Sequence, residues 1–250
     1  LKLKPGYAET YFNIGSALVQ KGDYDSAIKN LQKALQIMPN HHNACNNMGA
    51  ALRAKGELRA AIKSYDSAIK INPKNVNARY NKSLLLLNLE SFKKGWPAYE
   101  YRWKKSKLDS VPTLSSRPKW HLGDQGRVLV WGEQGIGDEI MFSSLIPDLH
   151  AACSHLIVKA DKRLIPILSR SFPKDIEFVE NSVPVAEDDY DAHIAMGSLP
   201  LHFRPNIESF KTAAQGYLSA DGKRAAALRD RLLSDGSEIL IGLSWHSTSK

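Results

Sequence analysis

Cysteine is nearly absent from this 250-residue sequence, which holds only Cys45 and Cys153. Two thiols in apolar surroundings, without ligand-like spacing, exclude a disulfide framework and give no sign of a metal site. A reducing cytoplasm is the expected compartment. No run approaches the roughly 18 apolar residues that a membrane-spanning helix requires, and the opening Leu1-Lys-Leu-Lys-Pro5 has no signal-peptide hydrophobic region. Acidic side chains are scarce in the first part of the chain: residues 1–107 hold 19 Lys and Arg against 7 Asp and Glu, and the remainder 15 against 19. The net charge of +8 therefore sits in one half. That half suits an anionic partner, an acidic peptide or a phospholipid headgroup, or is simply a solvated lysine-rich helical face. Nucleic acid is not an expected partner. Hydrophobic content of 43% is ordinary, and the length admits two modest domains.

What the sequence does have is internal repetition. A shift of 34 residues superimposes Gly15 on Gly49, Gly22 on Gly56, Ala27 on Ala61, Ala34 on Ala68 and Pro39 on Pro73. One unit offers Tyr11, Ile14, Gly15, Leu18, Ala27, Leu31 and Pro39; the next offers Cys45, Met48, Gly49, Leu52, Ala61, Tyr65 and Pro73. Small residues let two antiparallel helices approach, large ones fill the gap between hairpins, and proline ends the second helix. This pattern resembles the tetratricopeptide repeat. Pro5 stands 34 residues before Pro39, so the chain is expected to begin inside the second helix of an earlier unit, as a cut end. The array is expected over residues 1–106: a partial repeat 1–5, full repeats 8–41 and 42–75, and a degenerate unit 76–106. In the last, Ser83 replaces Gly and Gly95 replaces Ala. Trp96, Tyr99 and Trp103 recur at helical spacing and are expected to dock the array onto the next domain. His41 and His42 fall in an inter-repeat turn and read as solvated. Residues 107–122, with Pro112 and Pro118, read as a surface linker.

From residue 123 the pattern changes to short apolar strands alternating with helices. Arg127–Trp131, Leu156–Lys159, Ile176–Val179, Ala192–Met196 and Ile239–Trp245 read as strands; Lys162–Ser171 and Gly222–Leu233 read as helices. A helix opening at Asp138 as N-cap, kinked at Pro147, follows the first strand. The fold class is therefore α plus α/β: a helical-hairpin array, then a doubly wound, mostly parallel sheet over residues 123–236. Residues 237–250 read as the first strand of a missing domain.

The loop Gly132-Glu-Gln-Gly-Ile-Gly137 and Asp138 should lie at the carboxyl edge of that sheet, where open α/β folds bind ligands. Glu133 and the amides of Gly135, Ile136 and Gly137 are candidate ligand contacts. The neighbouring carboxylates argue against a pyrophosphate, and Ile140 stands where a dinucleotide fingerprint has its third glycine. Ser198 follows the fourth strand and is placed to line the same edge, or to form a plain strand-end turn.

Gly95-Trp-Pro-Ala-Tyr-Glu-Tyr-Arg-Trp103, Trp120-His-Leu-Gly123, Val128-Leu-Val-Trp-Gly-Glu-Gln-Gly-Ile-Gly-Asp-Glu-Ile-Met-Phe142, Met196-Gly-Ser-Leu-Pro200 and Ile241-Gly-Leu-Ser-Trp245 together resemble bacterial tetratricopeptide proteins fused to a heptosyltransferase-like glycosyltransferase domain. The resemblance implies a Rossmann-like N-terminal half of a B-type glycosyltransferase fold, in which Asp138 is the base for an acceptor hydroxyl. It puts Glu133, Gln134, Gly135, Gly137 and Ser198 on the acceptor, and Ser247, Thr248 and Lys250 on a nucleotide-sugar donor held only with the missing domain. No metal or further cofactor is implied, and the fragment alone is expected to be inactive. The competing reading of Asp138 is a helix cap. The competing reading of the chain is a protein-binding scaffold, whose repeats grip a peptide in their groove beside a degenerate α/β platform. A methyltransferase ranks last, because Val130 and Trp131 stand where its acidic residue belongs.

Overall fold

The computed structural model describes residues 5–105, 115–211 and 216–233. The strand expected at 239–245 and the residues Ser247, Thr248 and Lys250 lie outside the described residues. Six helices come first: α1 (Pro5–Lys21), α2 (Tyr24–Ile37), α3 (His42–Ala54), α4 (Leu58–Ile71), α5 (Val76–Asn88) and α6 (Phe92–Tyr99), the last running into a 3-10 turn at Glu100–Lys104. They pack as successive antiparallel hairpins, α1 on α2, α3 on α4 and α5 on α6. Glycine sockets set the close approach. A Cβ on Gly15 would lie 2.7 Å from Leu31 Cγ, and one on Gly49 would lie 2.6 Å from the Tyr65 ring. In the third hairpin the socket moves to the other helix, where a Cβ on Gly95 would lie 2.5 Å from Leu87. The exchange of Gly and Ala for Ser83 and Gly95 thus preserves the hairpin. The turn between helices needs a left-handed residue at Gly22 (φ 85°) and Gly56 (φ 79°), and Glu90 adopts the same conformation (φ 56°) without glycine's freedom.

The inter-repeat histidines are not solvated. His41 is buried. Its Nδ1 accepts the Ala44 N–H (3.3 Å) as cap of α3, its Nε2 meets Glu9 (3.1 Å), and its ring packs on Phe12. His42 is half-buried between the Asn72 and Asn75 side chains. Capping and packing between repeats outweigh the polarity that suggests exposure.

The second unit comprises β1 (Arg127–Trp131), α7 (Ile136–Ser143), α8 (Ile146–His150), β2 (His155–Ala160), α9 (Ile165–Ser171), β3 (Glu177–Glu180), β4 (Ala192–Ala195), α10 (Leu199–Phe203), α11 (Glu208–Lys211) and α12 (Gly222–Leu232). The strands form a small all-parallel sheet in the order β3-β2-β1-β4. The kink expected at Pro147 is a break, with Pro147 in the first turn of α8, where its missing N–H costs nothing. One face of the sheet, Val128, Val130, Leu156, Val158 and Ile194, packs on α7, α8 and α9 through Phe142, Leu149 and Leu168. The opposite face departs from a doubly wound plan. The segment joining β3 to β4 carries only a 3-10 turn at Glu187–Asp189, so Leu129 and Ile157 are covered by Tyr190 and Val185 from that loop.

Part of the expected linker belongs to the fold. The Trp120 N–H donates to the His193 carbonyl (2.9 Å) and the His193 N–H to the Pro118 carbonyl (3.0 Å), so Pro118–Trp120 runs alongside β4. Trp120 itself is buried. Proline is tolerated there because the segment is an edge.

Candidate functional site

Two places concentrate polar side chains: the first helices of the array, and the joint between array and sheet.

Along the array, α1, α3 and α5 are joined by a row of amides. Asn47 Nδ2 donates to Ser16 Oγ (2.7 Å), Asn46 Nδ2 to Asn47 Oδ1 (3.2 Å) and Asn81 Nδ2 to Asn46 Oδ1 (3.1 Å). Asn13, Asn47 and Asn81 occupy one register of the 34-residue repeat, and Asn13 is exposed on α1. The same shift that aligns the glycines picks out these asparagines, a signal carried by the polar positions of the repeat rather than by its small and apolar ones. A primary amide offers two donors and an acceptor with two lone pairs, so each member of the row keeps capacity for a further partner.

The joint is built on Arg102. Its Nε and Nη2 grip Glu133 Oε2 (3.0 Å) and Oε1 (2.6 Å), Nη2 also donates to Ser198 Oγ (2.7 Å), and Nη1 donates to Glu100 Oε1 (2.5 Å). The guanidinium lies between the Tyr99 ring (4.6 Å) and the Trp103 ring (4.4 Å). The Arg102 and Glu133 side chains are 2% and 0% exposed. Burial opposes the Arg102 charge, but the Glu133 and Glu100 carboxylates outweigh it and hold the guanidinium pKa above its ordinary value. Glu133 Oε1 also accepts the Gly197 N–H (3.1 Å). Gly197 leaves room for it, since a Cβ there would stand 2.5 Å from that oxygen.

Two of the expected acceptor contacts thus belong to this network. Both Glu133 oxygens accept from Arg102, and Oε1 from Gly197 as well. The Ser198 hydroxyl accepts from Arg102 and donates to Glu100 (2.8 Å). The sheet reverses direction of growth between β1 and β4, the point where open α/β sheets receive ligands. Here a side chain from the end of the array occupies it. Around Arg102, Trp96 Nε1 donates to the Arg204 carbonyl (2.8 Å), Tyr99 is buried in the α/β core, and Trp103 meets Trp131 at 5.3 Å. All three aromatics of the expected face therefore contact the second unit.

The loop after β1 is arranged differently from expectation. The helix α7 begins at Ile136 with Gly135 as cap, so Asp138 is the third helical residue rather than the cap. Its carboxylate reaches back to the Gly135 N–H (3.2 Å) and is half-exposed. Gln134 takes a left-handed conformation (φ 65°) and its Nε2 donates to the Tyr99 hydroxyl (2.7 Å); burial pushes the Tyr99 phenol up to about 12. Gly135 and Gly137 are exposed. On the far side of the loop, Glu139 is buried and accepts from the Asp161 N–H (2.7 Å) and Asn181 (3.1 Å). Burial raises its pKa. Asp138 thus stands alone as the half-exposed carboxylate of the loop, between two buried glutamates that hold the loop in place. Cys45 and Cys153 are free, with thiols pushed up by burial, the opposite of an activated nucleophile.

The stacked hairpins with glycine sockets define a tetratricopeptide-repeat array, and sequence models described as Tetratricopeptide repeat match residues 6–74 and 46–107. The second match includes the degenerate third hairpin. A curated relative, "Protein FlbA" of Caulobacter vibrioides (strain ATCC 19089 / CIP 103742 / CB 15), is 30% identical over 186 residues, which is 68% of this chain and 31% of that protein. That share of the chain exceeds what the array can supply, so the likeness continues into the α/β unit. The chain spans about a third of that relative's length (31%). Among solved structures, the TPR2AB-domain:pHSP90-complex of yeast Sti1 is similar at 21% identity, covering 40% of this chain and 39% of that one, with a TM-score of 0.38. The first TPR of Spaghetti (RPAP3) bound to an HSP90 peptide matches at 18% over 40% and 80%, with a TM-score of 0.39. MamA 41-end from Desulfovibrio magneticus RS-1 matches at 26% over 38% and 54%, with a TM-score of 0.36. No helix among the described residues is long and apolar enough to cross a membrane.

Proposed function

We propose that this chain is a protein-binding scaffold in which α1, α3 and α5 hold an extended acidic peptide, with the α/β unit fixed at one end as a platform. The reading is carried by the amide row from Ser16 through Asn47 and Asn46 to Asn81, with Asn13 at its open end. An extended peptide presents unpaired backbone N–H and C=O groups at regular intervals, and side-chain amides answer both. The excess of Lys and Arg in residues 1–107 favours a negatively charged partner. Peptides selected from a displayed library on the chain test this. Asn13→Ala and Asn47→Ala are expected to weaken selected peptides about tenfold each, the effect of one or two lost hydrogen bonds. Added salt should weaken them further. Peptides that bind both variants as tightly as the parent refute the groove.

Sugar transfer is the second reading, favoured by one feature, the half-exposed Asp138 carboxylate at the carboxyl end of β1. In that reading Asp138 removes the acceptor proton, a nucleotide sugar is the donor, and Ser247, Thr248 and Lys250 approach its phosphates. Asp138→Asn in a longer, transfer-competent protein is then expected to abolish turnover while leaving the fold intact; unchanged turnover leaves Asp138 a helix-start residue only.

A further inference from the structure

Between α4 and α6, over one face of α5, runs a groove of about 690 Å³. The repeat register gives its cause. Tyr11, Cys45 and Arg79 occupy one position of the 34-residue unit, and Ile14, Met48 and Lys82 another. In the second unit these positions close the space against the preceding hairpin, since Cys45 and Met48 are buried in clusters that take in Leu35 of α2. In the third unit both are cations, which cannot be packed among aliphatic side chains without losing their hydration. Leu86 of α5 is accordingly half-buried where Leu52, its counterpart one unit earlier, is buried. With Ile62 and Ile69 of α4 it gives the groove an apolar lining.

The charge along this groove is nearly all positive and mostly unanswered. Arg79 donates through Nε to the Pro73 carbonyl (2.9 Å) and lays its guanidinium over the Tyr101 ring (4.9 Å), with no carboxylate partner among the described residues. The side chains of Lys93 and Lys94, in the first turn of α6, have no hydrogen bond or ion pair among the described residues. Lys82 alone is paired, to Asp66 (2.5 Å), the one carboxylate among the described residues that line the groove. The Ser91 N–H donates to the Leu86 carbonyl (2.8 Å), which sets the two lysines near the Leu86 end. Arg79 stands at the other end, about 10 Å away by the rise of α5. Arg79, Lys82 and Leu86 share a face of α5 that does not include Asn81, so this groove is separate from the amide row.

Spacing and polarity narrow the occupant. A lone phosphate or carboxylate cannot reach both ends. A flat anionic lipid surface would meet the cations and leave the apolar lining between them uncovered. A peptide with carboxylates on either side of an aliphatic or aromatic side chain meets all of it. At about 3.3 Å per residue, carboxylates some three residues apart span the groove. We propose that the α4–α6 groove binds an acidic segment of a partner protein, its carboxylates on Arg79 at one end and on Lys93 and Lys94 at the other, its apolar side chain against Ile62, Ile69 and Leu86. This is a second site on another face of the array. It rests neither on the amide-row reading nor on sugar transfer.

The chain is titrated into a fluorescein-labelled peptide Glu-Asp-Leu-Phe-Asp-Glu, followed by anisotropy, with Glu-Asp-Ser-Ser-Asp-Glu and phosphatidylglycerol vesicles as comparisons. Saturable sub-millimolar binding of the first peptide is expected, with the serine peptide at least about tenfold weaker. Arg79→Gln, and Lys93→Gln with Lys94→Gln, are each expected to weaken it about tenfold. Ala98→Phe fills the groove and leaves every cation in place; it is expected to abolish binding with the thermal midpoint preserved. Asn47→Ala, on the amide row, is expected to leave binding unchanged. Failure of the first peptide to saturate, equal affinity for the two peptides, or unchanged affinity in Ala98→Phe overturns the assignment. So does a loss in Asn47→Ala without one in Arg79→Gln, or capture by the vesicles in place of the peptide.

Discussion

Arg102→Ala is expected to destabilise the chain by about 3–5 kcal/mol. The loss does not measure the strength of the ion pair. It arises because Glu133, with a fully buried side chain, would keep its charge with only the Gly197 N–H to answer it. The double variant Arg102→Met, Glu133→Leu removes both charges and is expected to recover much of that loss, since apolar replacements of buried pairs are often neutral. Chemical unfolding of the two variants checks the ordering. A double variant less stable than Arg102→Ala contradicts it. The prediction matters for function, because Arg102 is the contact through which the end of the array is held to the edge of the sheet. Loosening it should let the two units move relative to each other.

Tyr65→Ala is expected to cost about 3–5 kcal/mol, the usual price of removing a buried aromatic ring. Tyr65 is fully buried, and its ring fills the socket left by Gly49 between α3 and α4. Tyr65→Phe separates packing from polarity. The Tyr65 hydroxyl is buried without a hydrogen-bond partner among the described residues, and burial raises its pKa. Deleting it is therefore expected to leave stability unchanged or raise it by up to about 1 kcal/mol. Thermal unfolding of both variants distinguishes the contributions; a large loss in Tyr65→Phe would show that the hydroxyl is satisfied.

The array was legible because its signal is local and repeated. Gly15 with Leu31 and Gly49 with Tyr65 meet at the same spacing, each within its own hairpin, so one socket appears twice in the sequence. The strands of the sheet were legible as short apolar runs because β1, β2 and β4 are buried on both faces. What sequence reasoning missed depends on partners far along the chain. Arg102 lies among the aromatics expected to dock the array, but its partners Glu133 and Ser198 come from 31 and 96 residues away, and no local spacing points to them. Glu133 read as a ligand contact for the same reason: nothing near it in sequence neutralises it. The missing helix after β3 lay hidden because the stretch before β4 reads only as polar loop. Asn13, Asn47 and Asn81 were available in the 34-residue register and needed only to be sought at polar positions as well as small and apolar ones.

The central claim, that the first helices of the hairpins form the binding face, is tested most directly by mapping a library-selected peptide on the chain by NMR. The account predicts that side-chain amide signals of Asn13, Asn46, Asn47 and Asn81 shift on binding while those of α2 and α4 stay in place. Shifts confined to α2, α4 or the sheet, with the asparagine signals unmoved, would contradict it.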